Sequence, residues 1–186
     1  MKRSPGICRL LAIAALVAVL PTGAAVGADA PDAPPTEHLV KAAFVYYFAQ
    51  FVEWPGGAFL HDDSPVVIGL LGDDELSDAV EASVQKKTAG GRPFVVRRLG
   101  VEPALKLCHI VVVSASQAKS LDKLAAILDK APVLTVGESD GFARGGGMIN
   151  LVLDHGKVRM EINAAAAARV HLAISSRVLK LATIVP

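Results

Sequence analysis

Apolar positions along the 186-residue chain fall into short blocks whose period changes from one region to the next. Lys2, Arg3 and Arg9 precede an unbroken apolar run from Leu10 to Leu20, and Pro21 opens a small-residue stretch that ends at Val26-Gly27-Ala28. The run is about 11 residues, against about 20 for a bilayer span, so the pattern predicts a secretory signal peptide over 1–28, cleaved near Ala28 or Ala30. Cys8 precedes the apolar run and so cannot be a lipid-anchor cysteine. Residues 29–36 hold three prolines and read as a linker before a domain spanning 37–186.

That domain opens with Val40, Phe44, Tyr47, Phe48, Phe51 and Trp54 at spacings of three and four. The spacing predicts an amphipathic helix whose apolar face packs on a sheet, with Thr36 as N-cap and Pro55-Gly56-Gly57 as terminator. Six of the chain's nine aromatic residues lie between Phe44 and Trp54. Tyr46, Ala49 and Glu53 fall on a different face, which leaves Tyr46 either packed against another element or displayed to a partner.

Pro65 to Leu71 predicts a strand. A helix opened by Gly72-Asp73-Asp74 follows, with Leu76, Ala79, Val80, Ser83 and Val84 on one face, then a second strand from Pro93 to Leu99. Strand, helix and strand together predict a parallel pair joined by a right-handed crossover. The continuous apolar run Ile110 to Val113 suits a central strand covered on both faces. Ser114 and Ser116 are placed to cap a helix with Leu121, Leu124, Ala125 and Leu128 inward, and Pro132 to Val136 makes a fourth strand. After the glycine loop 141–147, Met148 to Leu153, the turn Asp154-His155-Gly156, and Lys157 to Ile162 predict a β-hairpin with Val158, Met160 and Ile162 alternating against Lys157, Arg159 and Glu161. Asn163 and Ser175-Ser176 are placed to cap two final helices. The expected class is α/β: a three-layer doubly wound mixed sheet with helices on both faces and a C-terminal β-hairpin plus helices.

Composition narrows the functions. Apolar residues make up 52% of the chain, which excludes disorder for most of it, and the formal charge is only +1. Residues 29–186 hold 16 Lys/Arg against 18 Asp/Glu, a charge of −2, so no cationic surplus exists for nucleic acid. Cys108 is then the lone cysteine and has no intrachain disulfide partner.

Catalytic patterns are missing. Gly145-Gly146-Gly147 precedes a strand, where a phosphate-binding loop precedes a helix, and Gly69-Leu70-Leu71-Gly72 lacks the third glycine and the lysine of the nucleotide fingerprints. His38, His61, His109, His155 and His171 show no metal-ligand spacing. There is no Gly-x-Ser-x-Gly elbow, and Cys108 and His109, adjacent on a presumed strand, point to opposite faces. The expectation is a protein that is not an enzyme, with no catalytic residue, metal or cofactor.

Three groups of residues then carry a family resemblance. Val40-Lys41-Ala42-Ala43-Phe44-Val45-Tyr46-Tyr47-Phe48-Ala49-Gln50-Phe51-Val52-Glu53-Trp54-Pro55 resembles the opening helix of the YfiR family. Cys108 to Ser114, Val133 to Val136 and Gly141-Phe142 resemble its middle strands and loop. Gly146 to Val152, Val158 to Asn163 and Ile174 to Ala182 resemble its closing hairpin and helix, in the same order.

The resemblance implies a periplasmic regulator of cyclic di-GMP signalling, a small and often dimeric adaptor. Its expected partner is an inner-membrane diguanylate cyclase or sensor kinase that it holds inactive, and an outer-membrane lipoprotein is expected to sequester it. The founding member carries paired cysteines, whereas Cys108 stands alone here. Candidate partner-binding residues, chosen as polar or aromatic groups off the predicted core faces, are Tyr46, Glu53, Phe142, Arg144, Arg159 and Glu161. Charge reversal at Arg159 and Glu161 is expected to weaken partner binding without lowering the melting temperature. The alternative is a periplasmic small-molecule sensor with ligand at the carboxyl ends of the strands, near Asp73, Ser114, Ser116, Glu138 and Asp140.

Overall fold

The computed structural model describes residues 36–186. The expected signal peptide over 1–28, its cleavage points at Ala28 and Ala30, Cys8, and the linker up to residue 35 lie outside the described residues. The first helix, α1 (Glu37–Phe51), leads into a two-residue strand, β1 (Val52–Glu53). Next come β2 (Val66–Leu71), α2 (Glu75–Val84), β3 (Thr88–Ala89) and β4 (Arg92–Arg98). The middle of the chain supplies β5 (Ile110–Val113), α3 (Leu121–Leu128) and β6 (Leu134–Gly137), with 3-10 turns at Pro103–Leu107 and Ala115–Ser120. The hairpin β7 (Ile149–Asp154) and β8 (Lys157–Ile162) follows, then α4 (Ala164–Arg169), β9 (Ala173–Ile174), α5 (Ser176–Leu179) and β10 (Thr183–Ile184).

Eight strands form one mixed sheet in the order β10-β8-β7-β6-β5-β2-β4-β3. β7, β6, β5, β2 and β4 run parallel, and β7–β8 and β4–β3 are antiparallel. β2, β5 and β6 are buried at every position, as the continuous apolar runs predict for strands covered on both faces. One face packs under α1 and α2 with Val45, Phe48, Ile68, Leu70 and Val80. The other packs under α3 and the Pro103–Leu107 turn, around Leu71, Leu105, Val111, Leu124 and Phe142. The fold is the expected three-layer α/β sheet with a C-terminal hairpin.

Local signals hold at several ends. Asp74 caps α2 by accepting from Ser77 N at 3.1 Å, Asn163 caps α4 by accepting from Ala166 N at 2.8 Å, and Ser175 accepts from Arg177 N at 3.3 Å. Others do not. The Thr36 and Ser114 hydroxyls make no cap bond, and a 3-10 turn separates Ser114 from α3, leaving Ala125 exposed.

The largest correction concerns α1. It ends at Phe51, so Trp54 lies beyond it, and its buried residues are Lys41, Ala42, Val45, Phe48 and Ala49. Of the expected inward face, Tyr47 is 49% exposed and Val40, Phe44 and Phe51 are half-buried. At 3.6 residues per turn the buried face and the aromatic stripe lie more than a hundred degrees apart around the helix. Ala42 lies on the side that packs against α2, where Ser83 Oγ donates to Ala42 O at 3.4 Å, and Phe44, Tyr47 and Phe51 turn outward.

His109 ties down the segment between β1 and β2. Its Nδ1 accepts from Val67 N at 3.0 Å, which places the proton on Nε2, where it donates to Ala58 O at 3.1 Å. The imidazole stacks on Phe59 with ring centres 4.1 Å apart, and Arg92 covers the other side of that ring.

Candidate interaction surface

The carboxyl ends of the parallel strands converge as a doubly wound sheet requires. Ser114 follows β5, Glu138 follows β6, and Lys41 of α1 reaches in from above. Lys41 Nζ donates to Glu138 Oε2 at 2.8 Å and also meets Glu37, one helical turn back, while Glu138 Oε1 accepts from Ala115 N at 3.1 Å. Lys41 and Glu138 side chains are 5% and 9% exposed. Burial pulls the Lys41 ammonium down, but hydrogen bonds to Glu138 and Glu37 outweigh it and hold the group above the ordinary lysine range. Ser114 Oγ is buried without a partner, and a Cβ at Gly72 (φ +118°) would lie 2.6 Å from it.

Of the five residues expected to line a ligand cleft, Ser114 and Glu138 thus come together, Ser116 Oγ joins Ser114 Oγ beside Gly72, where a Cβ would lie 3.3 Å from Ser116 Oγ, and Lys41 occupies the position between strand ends and helix. Asp73 turns to Arg98, which also donates to Asp78 at 2.7 Å and Glu81 at 2.8 Å. Ser116 and Asp140 are exposed.

The six partner-binding candidates divide as well. Phe142 is 1% exposed, which overturns its assignment to a surface. Its ring fills the space left by two glycines, where a Cβ on Gly137 or Gly147 would come within 2.5 Å and 2.2 Å of it. The 141–147 loop folds over the ring, with Gly147 N donating to Phe142 O at 3.0 Å. Tyr46 is half-buried, its ring 5.9 Å from that of Phe94 and 4.6 Å from Lys87 Nζ. Glu53 is exposed on β1, opposite Ala173 of β9.

Arg144, Arg159 and Glu161 share one side of the hairpin. Arg144 approaches Glu161 to 3.9 Å, and Arg159 lies 3.9 Å from Asp154. Glu161 is half-buried and accepts from the amide of the buried Asn150 at 3.3 Å.

Sequence reasoning missed the surface that the rotation of α1 creates. Phe44, Tyr47 and Phe51 form one wall of an apolar groove of about 300 Å³, Met160 of β8 its floor, and Val178 and Leu181 the opposite wall. Leu181 is 74% exposed and Tyr47 49%. The signal was legible in the i, i+3, i+7 spacing of Phe44, Tyr47 and Phe51, but an apolar stripe reads the same whether it meets a sheet or a partner. Among the described residues no cluster of His, Cys, Asp or Glu suited to a metal ion occurs, and no helix is long and apolar enough to cross a membrane.

Among solved structures, a conserved domain protein from Vibrio cholerae superposes with a TM-score of 0.57 at 14% identity, over 77% of this chain and 59% of its own. The likeness is one of fold, and the chain spans only about six-tenths of that protein. An ABC domain from Streptococcus pneumonia, solved in complex with L-Trp, gives a TM-score of 0.47 at 12% identity over 64% of this chain and 55% of its own, too distant to support an argument. No curated protein sequence matches. The YfiR/HmsC-like family model matches residues 38–183, from the first turn of α1 into β10. With nearly the whole of the described domain inside that match, the chain belongs to the YfiR/HmsC-like family.

Proposed function

We propose that the chain is a periplasmic regulator that binds the periplasmic part of an inner-membrane diguanylate cyclase and holds it inactive, so lowering cyclic di-GMP. Family membership supports a regulatory role in this signalling system, exercised in the periplasm through a membrane signalling partner. The observation that carries the binding reading is the aromatic stripe of α1, which the fold leaves open beside Met160 and Leu181. Large apolar side chains displayed together, with cations at the rim, are how a protein holds another protein. Export with cleavage near Ala28 or Ala30 belongs to the proposal, and N-terminal sequencing of the protein recovered from the periplasm checks it.

The test is capture from detergent-solubilised membranes of the source organism with the tagged chain as bait, followed by assay of GTP conversion to cyclic di-GMP. Enrichment of a transmembrane cyclase, and a fall in its turnover when the chain is added, is the expected result. A folded bait that retains no membrane signalling enzyme, or a captured cyclase whose turnover is unchanged, overturns it.

A further inference from the structure

The apolar groove borders a strand edge that the fold leaves half paired. β10 covers only Glu161 and Ile162 of β8. The β7–β8 turn has two central residues, His155 and Gly156, at φ +47° and +75°, which makes Asp154 and Lys157 a hydrogen-bonded pair. Such pairs alternate along an antiparallel ladder, so the N–H and C=O of Val158 and the N–H of Met160 point away from β7. Ile162 has the same phase, and its outward C=O accepts from Val185 N at 2.9 Å. Among the described residues no backbone hydrogen bond from outside the sheet ladders reaches Val158.

We infer that the open edge at Val158–Met160 and the α1 stripe together form a strand-addition site for an extended segment of a protein partner that alternates apolar and acidic residues. The inference rests on the proposed function for the existence of a partner and adds the chemistry of the contact. A strand laid along β8 sends alternate side chains to opposite faces. Those on the Val158 and Met160 side enter the groove beneath Phe44 and Tyr47. Those on the other side meet the exposed cations Lys157 and Arg159, against one exposed carboxylate on that face of the hairpin, Asp154, 3.9 Å from Arg159. A second copy docked edge to edge about a two-fold axis at Val158 would pair antiparallel and set Lys157 of each copy against Arg159 of the other, like charges directly opposed. The charge therefore selects an acidic segment.

The test uses two blocked octapeptides, one alternating Glu and Val and the other Lys and Val, titrated into the purified chain with backbone-amide NMR as readout. The acidic peptide is expected to bind at least ten-fold more tightly, with shifts centred on Val158, Met160 and Tyr47. Val158→Pro deletes an outward N–H without touching the β7 ladder, so it should abolish binding, whereas Val158→Ala, which trims the same side chain packed against the core and keeps the N–H, should retain it. Arg159→Glu should reverse the preference between peptides, and it keeps the proposal falsifiable if the proline variant fails to fold.

Binding of neither peptide, equal binding of both, or binding that survives Val158→Pro overturns the proposal. So does a dimer of the unmodified chain that Val158→Pro dissociates, since the occupant is then a second copy. If Val158→Pro captures the membrane cyclase as well as the unmodified chain does, the edge assignment fails and the proposed function stands. If the acidic peptide binds at the edge but no membrane enzyme is captured, the strand-addition site stands and the proposed function fails.

Discussion

Lys41 and Glu138, 97 positions apart in the chain, meet at 2.8 Å at the carboxyl end of β6, with both side chains nearly excluded from solvent. A buried pair of this kind fixes where α1 sits more than it adds net stability, because desolvation of both charges offsets their attraction. Removing one partner is the costly change. Glu138→Leu leaves the ammonium with Glu37 alone and should destabilise the fold by about 3–5 kcal/mol, whereas the double change Lys41→Met with Glu138→Leu should recover most of that. Denaturant titration of the three variants checks it.

The same pair predicts behaviour in alkali. The folded chain holds the Lys41 proton more tightly than an ordinary lysine does. Its contribution is fully present below the unfolded lysine value of 10.5 and is lost as pH rises through the higher folded value. Glu138→Gln, which removes the strongest hold on that proton, should therefore start less stable near neutral pH and lose less as pH rises above 10.5, read as denaturant midpoints by circular dichroism.

His109 acts in the opposite direction. Burial, seconded by Arg92, pulls its pKa below the usual 6.5, despite the hydrogen bond to Ala58. The neutral ring is the folded form, so stability is fully present above the unfolded value and falls as pH drops through the folded one. Melting temperatures recorded between pH 7.5 and 5 should decline, and His109→Gln, which cannot gain the proton, should show a flatter profile from a lower start.

Phe142 and Gly147 test the correction to the loop. Phe142→Ala empties a fully enclosed ring site and should cost about 3–5 kcal/mol. Gly147→Ala places a methyl within 2.2 Å of that ring, and the ring's enclosure leaves it little room to move. Both should lower the melting temperature, whereas Arg144→Ala, at an exposed position of the same loop, should leave it unchanged.

Two hairpin residues should separate stability from recognition. Arg159 is exposed, so Arg159→Glu should keep the melting temperature and change only partner binding. Glu161 accepts from Nδ2 of buried Asn150, so Glu161→Lys should cost about 1–3 kcal/mol, contrary to the expectation from alternation alone. Tyr47→Asp should likewise preserve folding, because its side chain is half in solvent, and weaken capture of the membrane partner more than ten-fold. Thermal melts beside quantitative capture give both readings.

The chain's local chemistry set its elements. The fully apolar runs of β2 and β5, the alternation of β8, and the caps Asp74, Asn163 and Ser175 each encode structure within a few residues, so strands, helices and the α/β order were legible from sequence. The family was legible for the same reason, since its motifs are the packed strands and the first helix. What depended on contacts between distant residues was not. Periodicity identifies an apolar stripe on α1 but carries no information on which way the helix rolls. The roll was decided by Lys41 reaching Glu138 and by α1 packing on α2 at Ala42, and it turned Phe44, Tyr47 and Phe51 outward. Phe142 looks like a loop residue until Gly137 and Gly147 are brought beside it. Pairing at an edge is likewise a property of the assembled sheet, so only the tertiary structure could leave Val158 open beside the stripe.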